Sequence, residues 1–292
     1  MKTVLILGCG YVGRAVGLHE RTQGNRVLAV TRNEGMADQL RSEGMDAFVG
    51  NVHETGWHTM AENVDWALNC VSAAAPSLEG YRLSYIDGNR SFADWMGRSG
   101  FSGRAIYTSS VSVYPENGGG WVEEDDARAS SERSEFILES ERVFLESTNP
   151  AAKTVLRLGG IYGPDRSFLA NRIAKSDGAL PGYGDYFLNL IRLEDIVGAI
   201  GAVFRSENGG GVFSVVDDAP MLREDLVREL STRMKVPAPR FDPLLSGAKG
   251  SRRMDGQRPA NRRISNRKMK ETFDWKPAFP NASAGMASLV SS

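Results

Sequence analysis

The chain has 292 residues, 41% of them hydrophobic and 24% charged, and its 35 Lys+Arg against 36 Asp+Glu leave a formal net charge of -1. That balance excludes a global field drawing the protein to nucleic acid or to a membrane surface. The length suffices to bury a core without disulfide or metal staples.

Other simple features narrow the field. Two cysteines, Cys9 and Cys70, are too few for a disulfide framework. The histidines His19, His53 and His58 have no metal-ligand spacing with either of them. No apolar run approaches the roughly 18 residues of a bilayer span. Met1-Lys2 leads straight into an apolar strand, without the core or cleavage site of a signal peptide. The expectation is a cytoplasmic, reduced protein.

In chain order, Thr3 to Leu7 is an apolar run closed by glycine, a buried strand. Tyr11 to Gln23 fits a helix, with Val12, Ala15, Val16 and His19 near one face and Gly24 placed to cap its end. Arg26 to Thr31 is a second strand, Met36 to Glu43 a short helix closed by Gly44, Ala47 to Val49 a third strand and Trp66 to Cys70 a fourth. Tyr81 to Gly97 reads as one long helix, Arg104 to Ser109 as a fifth strand, Ser131 to Ser147 as a helix and Thr154 to Leu158 as a sixth strand. Phe187 to Ile191, Glu194 to Phe204 and Gly211 to Val216 add a strand-helix-strand passage. Alternating strands and helices predict an α/β fold, a Rossmann-type doubly wound parallel sheet of order 3-2-1-4-5-6. Residues 1–160 form the dinucleotide-binding domain, to which 186–216 return. Residues 161–185 and 217–292 make a smaller substrate or cap domain.

The first strand runs into Gly8-Cys9-Gly10-Tyr11-Val12-Gly13 and then into a helix. A lone GxGxxG is a weak signal, but a strand before it and a helix after it supply the context of a phosphate-binding turn. Gly8 permits the tight turn, Gly10 lets backbone approach a pyrophosphate, and Gly13 allows helix and sheet to pack closely. The second strand ends Val30-Thr31-Arg32-Asn33, without the acid that holds an NAD ribose 2′-hydroxyl. The expected cofactor is therefore NADP(H), with Arg32 on the 2′-phosphate and NAD(H) as the alternative. Its expected contacts are Gly8, Gly10, Tyr11, Val12, Gly13, Thr31, Arg32, Asn51, Val71, Ser72, Ala73 and Gly159. Cys9 and Cys70 fall at this edge and read as small buried residues rather than a redox pair.

Several segments together resemble the extended short-chain dehydrogenase/reductase superfamily, and within it the NAD-dependent epimerase/dehydratase family. They are Tyr107-Thr108-Ser109-Ser110-Val111-Ser112-Val113-Tyr114, Leu156-Arg157-Leu158-Gly159-Gly160-Ile161-Tyr162-Gly163-Pro164 and Asn189-Leu190-Ile191-Arg192-Leu193-Glu194-Asp195, the last with Arg192 where histidine is usual. Arg263-Ile264-Ser265-Asn266 and Trp275-Lys276-Pro277 match a small subgroup, and the resemblance spans nearly the whole chain.

The resemblance implies a serine that orients a substrate oxygen, here Ser110, and a YxxxK pair in which the tyrosine is acid/base. Alignment on Glu141 puts Arg133 at the tyrosine position and Ile137 at the lysine position. Between Glu116 and Pro150 there is neither Tyr nor Lys. The chain thus resembles the atypical members that lack the pair. Other proton sources are Tyr114, Tyr162 or water held by Arg133, since arginine itself stays protonated. One reading is an NADP(H)-dependent oxidoreductase or epimerase acting on a small substrate, such as a nucleotide-sugar. The other is a non-catalytic NADP(H) sensor or scaffold.

Lys249 to Lys270 holds nine Lys/Arg and one acid, Asp255, whereas Glu116 to Glu141 is acidic around Glu123-Glu124-Asp125-Asp126. The basic run reads as a solvated face or a site for a phosphate-bearing substrate, and it lacks the aromatics that single-stranded nucleic acid would want. Tyr85 and Asn89, four apart, are expected on one helix face. Phe92, Trp95 and Met96 lie on the same helix, which with residues 131–147 is the expected homodimer contact unless they pack on the sheet. No nucleic-acid or membrane partner is expected.

Overall fold

A computed structural model describes residues 1–73, 75, 77–148, 151–245 and 258–290. Its centre is a seven-stranded parallel sheet. Numbering only the strands of that sheet, they are β1 (Thr3–Leu7), β2 (Arg26–Thr31), β3 (Asp46–Val49), β4 (Trp66–Asn69), β5 (Arg104–Ser110), β6 (Ala152–Leu158) and β7 (Gly211–Val215). Their spatial order is β3-β2-β1-β4-β5-β6-β7. The predicted doubly wound order is present, with the returning strand as a seventh member at the β6 edge.

The strands are apolar because both faces are covered. Alternation splits β1 between two cores: Val4 and Ile6 join Val16, Ile196 and Phe204 on one face, and Leu5 and Leu7 join Phe92, Trp95 and Phe144 on the other. Helices α1 (Tyr11–Thr22) and Leu193–Arg205 cover the first face. Gly88–Arg98 and Glu132–Leu145 cover the second. Phe92 stacks on Phe144 with ring centroids 5.8 Å apart. Phe92, Trp95 and Met96 are fully buried in this way, so they are sheet-packing residues and not an exposed contact surface.

Two elements differ from the sequence reading. The helix expected over 81–97 is three pieces: Leu78–Tyr81, a wide π turn over Arg82–Asp87, and Gly88–Arg98. A Cβ at Gly88 would lie 2.8 Å from Val52 Cγ1, so the backbone is pressed against residue 52 where the π turn ends. Tyr85 and Asn89 consequently part company. Tyr85 lines the cleft described below, while Asn89 is wholly buried between Asn69 and the Ser140 carbonyl. The strand expected over 187–191 divides at Asn189 into Phe187–Leu188 and Leu190–Arg192. The cause is the Asn189 side chain, which donates to the Arg262 carbonyl at 2.9 Å and accepts from Ile264 N–H at 2.8 Å.

A separate core gathers Tyr162, Ile173, Leu180, Leu226, Leu230 and Met286 from the later segments. Arg192 ties this region together: it pairs with Glu194 at 2.9 Å, donates to the Gly285 carbonyl and lies over Phe279 at 4.0 Å. Asp195 accepts from the Ala278 and Phe279 N–H groups. The basic and acidic stretches meet within the chain. Arg263–Ile264 pairs in parallel with Trp121–Val122, and Arg267 reaches Glu123 at 2.9 Å. Arg258 pairs with Asp185 and Lys270 with Asp218. Residues 249–257 of the basic run lie outside the described residues.

Candidate active site

A cleft of about 730 Å³ opens at the carboxyl ends of the central strands, where doubly wound sheets hold ligands. Its floor is the glycine turn. Gly8 has φ +88°, and a Cβ there would meet Val71 Cα at 2.8 Å. A Cβ at Gly13 would lie 2.5 Å from the Gly8 carbonyl oxygen and 2.9 Å from Cys70 Sγ. A Cβ at Gly10 would meet nothing within 4 Å, because that position faces the open cleft. Gly10 is also the N-cap of α1 and supplies no side-chain cap, and the first turn of that helix carries no acid. The helix thus presents N–H groups and its positive dipole end to the cleft, a ready anion site. The residues present fit a dinucleotide pyrophosphate.

At the end of β2, Thr31, Arg32 and Asn33 line the cleft. The Asn33 side chain is engaged as the cap of helix α2 (Glu34–Ser42), accepting from Met36 N–H at 2.8 Å, and Arg32 is exposed. Of the other expected contacts, Tyr11, Val12, Asn51, Val71, Ser72 and Gly159 line the cleft. Gly13 sits behind the turn, in the packing role its contacts require. Ala73 lies outside the lining and donates its N–H to the Tyr85 hydroxyl at 3.2 Å. Cys9 is buried, and burial pushes its thiol well up. Cys70 donates to the Leu7 and Gly8 carbonyls, and burial pushes its thiol up to about 12.

At the other end of the cleft, β5 delivers Thr108, Ser109 and Ser110, and the helix over 132–145 delivers Arg133 and Ile137 one turn apart. Ser110 lines the cleft, its hydroxyl accepting from Ser112 N–H at 3.2 Å and donating to Ser112 Oγ at 3.0 Å. Ser109 donates to the Glu141 carboxylate, which Arg157 holds from behind at 2.8 Å. Below them Tyr107 and Ser140 share a hydrogen bond of 2.9 Å.

Two proton-source candidates are displaced from this position. Tyr114 is buried to 1% exposure, its hydroxyl held by Ser214 at 2.6 Å and Arg157 at 3.2 Å, and burial pushes it up. Tyr162 is buried in the later core, where burial pushes its hydroxyl well up. Neither lines the cleft. The π turn brings Tyr85 there instead.

Arg166 also lines the cleft and was not anticipated. Its guanidinium lies over the Tyr11 ring at 5.3 Å, and the Tyr11 hydroxyl donates to the Pro164 carbonyl at 2.7 Å. Only the position of Arg166 two residues after the Gly163-Pro164 corner hints at it, and no periodicity marks it. Among the described residues lining the cleft there are three arginines, Arg32, Arg133 and Arg166, and no Asp or Glu.

No family model matches the chain. Protein YeeZ of Escherichia coli (strain K12) is 26% identical over 269 residues, covering 89% of this chain and 94% of that protein. Among solved structures, MoeE5 in complex with UDP-glucose and NAD superposes with a TM-score of 0.80 at 18% identity, covering 99% of this chain and 97% of that one. UDP-glucose 4-epimerase from Thermotoga maritima, with UDP-glucose, gives a TM-score of 0.80 at 16% identity and the same coverage. The chain shares the Rossmann-like α/β fold of these two structures. No helix among the described residues is long and apolar enough to cross a membrane.

Proposed function

We propose that the chain binds NADP(H) in this cleft and serves as an oxidoreductase or epimerase on a small substrate. The carrying observation is the open face of Gly10 at the uncapped start of α1, with Arg32 and no carboxylate at the end of β2. Arg32 takes the 2′-phosphate and discriminates NADPH from NADH. Residues 161–185 and 217–292 form the substrate side, over a cofactor domain of 1–160 with 186–216.

When bound, the dinucleotide supplies or accepts hydride. The chain must then orient the reacting oxygen and match the hydride with a proton. Ser110 and Ser109 offer hydroxyls at the reacting end, with Ser109 fixed by Glu141. Tyr85 is the phenol suited to the proton role. It lines the cleft, and its oxygen accepts the Ala73 N–H at 3.2 Å, which holds the phenol on the π turn.

A specific observation favours a second reading, a non-catalytic NADP(H) sensor. Ile137 occupies the lysine position and cannot anchor a nicotinamide ribose. Titration of wild type and Arg32→Ala with NADPH and NADH tests the shared premise. The expected result is a preference for NADPH that Arg32→Ala abolishes. An unchanged affinity ratio overturns the NADP(H) assignment, and failure to bind either dinucleotide overturns both readings. With NADPH bound, loss of turnover in Tyr85→Phe supports the enzyme, and absence of turnover on any carbonyl substrate supports the sensor.

A further inference from the structure

We propose that Arg133 is the receptor for an oxyanion, a carboxylate or phosphate group, on a small second ligand held at the reacting end of the cleft; this rests on the dinucleotide reading above. The position that the family resemblance assigns to an acid/base tyrosine holds a permanent cation here. Arg133 stands in the first turn of the helix over 132–145 and lines the cleft, as do Ser110 and Tyr85.

The environment of Arg133 holds its charge without cancelling it. Its guanidinium lies over the Tyr81 ring at 5.3 Å, and its Nε is buried with no hydrogen-bond partner. Among the described residues no carboxylate pairs with it, and Glu132 and Glu135 on the same helix are exposed. Arg166, over Tyr11 in the same lining, also has a buried Nε without a hydrogen-bond partner, whereas several arginines away from the cleft are paired with carboxylates. Arg157 is paired with Glu141, Arg192 with Glu194 and Arg267 with Glu123. A buried donor left unmade is costly, and an oxyanion entering the cleft beside the guanidinium would offset part of that cost.

Position separates Arg133 from the cofactor's own anions. Arg32 stands at the end of β2, and Arg166 lies over Tyr11 at the start of α1, where the pyrophosphate seats. Arg133 projects from a different element beyond β5. With no Asp or Glu among the described lining residues, a planar guanidinium suits a carboxylate or phosphate group.

The test uses the full-length protein saturated with NADPH, at constant ionic strength. Sodium malonate and inorganic phosphate are titrated separately, and binding is read from the fluorescence of the bound reduced nicotinamide. Malonamide serves as the neutral control. Wild type should bind one of the two anions saturably, and which one identifies the group as carboxylate or phosphate. Arg133→Gln should weaken that binding about 10- to 100-fold, Arg133→Lys should recover part of it, and the affinity for NADPH should stay unchanged in both. Thermal unfolding verifies that the variants fold. The proposal is overturned if neither anion binds to NADPH-loaded wild type, if Arg133→Gln binds as wild type does, or if Arg133→Gln weakens NADPH itself. Failure of wild type to bind NADPH is a separate readout, and it removes the cofactor reading together with this one.

Discussion

Arg157 reaches Glu141 at 2.8 Å with both side chains more than nine-tenths buried, and the pair stands directly behind Ser109. Burial disfavours the guanidinium charge, yet the hydrogen bond and charge of Glu141 together with Tyr114 more than offset this and leave Arg157 pushed up. Removing one partner strands the other as an uncompensated buried charge. Glu141→Leu or Arg157→Met alone should cost about 3–5 kcal/mol, whereas the two substitutions combined should cost clearly less than the sum of the singles. Urea unfolding of the four proteins measures this, and additive losses would show that the residues act independently.

Gly10 and Gly13 should fail in different ways. Alanine at Gly13 meets the Gly8 carbonyl at 2.5 Å, so Gly13→Ala should lower the unfolding temperature whether or not a ligand is present. Alanine at Gly10 meets no protein atom, so Gly10→Ala should unfold like wild type. Its methyl projects into the cleft where backbone would approach the pyrophosphate, so NADPH affinity should fall at least about tenfold. Calorimetry with and without NADPH separates the two. Equal affinity of Gly10→Ala and wild type would move the phosphates elsewhere.

Asp217 gives the protein a predictable response to pH. It is buried to 2% exposure with Oδ1 unpartnered, and burial, then Asp218 and Asp195, push its carboxyl up to about 8. The folded state therefore binds this proton more tightly than the unfolded state, whose value is near 3.8. The contribution is fully present below about pH 4, declines as pH rises from there and is lost above about pH 8. Asp217→Asn should match wild type near pH 4 and exceed it at pH 8, by about 2–4 °C in Tm for each kcal/mol recovered. A difference independent of pH would contradict the assignment.

Neither thiol should react in the folded protein. Cys9 is buried, and Cys70 is held against the glycine turn with its thiol pushed up to about 12. Since the thiolate is the nucleophile, a thiol-specific chromogenic reagent at pH 8 should label both only after denaturant is added. Rapid labelling of Cys70 in native buffer would show that the turn opens.

Periodicity and glycine placement made the sheet legible, because a parallel strand covered on both faces has to be an apolar run and a left-handed cap favours glycine. Gly24 at φ +77° and Gly44 at φ +81° end the first two helices where the sequence puts them. The π turn was not legible: Arg82–Asp87 reads as ordinary helix, and the wider winding depends on the press of Gly88 against Val52, a contact between distant residues. That turn also brings Tyr85 to the cleft while Asn89 faces the interior. The absence of a YxxxK pair was legible in the sequence, because no Tyr or Lys lies between Glu116 and Pro150. The burial of Tyr114 was not, since Ser214 and Arg157 close over it from strands far along the chain. Arg166 escaped for the same reason, as its platform is Tyr11 at the opposite end of the cofactor half.

The order of strands also sets a schedule for synthesis. β6 at residues 152–158 lies between β5, already made, and β7 at residues 211–215, which emerges much later. Until then one side of β6 is a bare row of backbone donors and acceptors flanked by Val155 and Leu156, a template for pairing with another chain. Parallel pairing across such a separation is slow to form. A nascent chain, or a fragment cut between the two strands, is thus an aggregation hazard that the finished protein no longer carries, and co-translational chaperones would meet it at this edge.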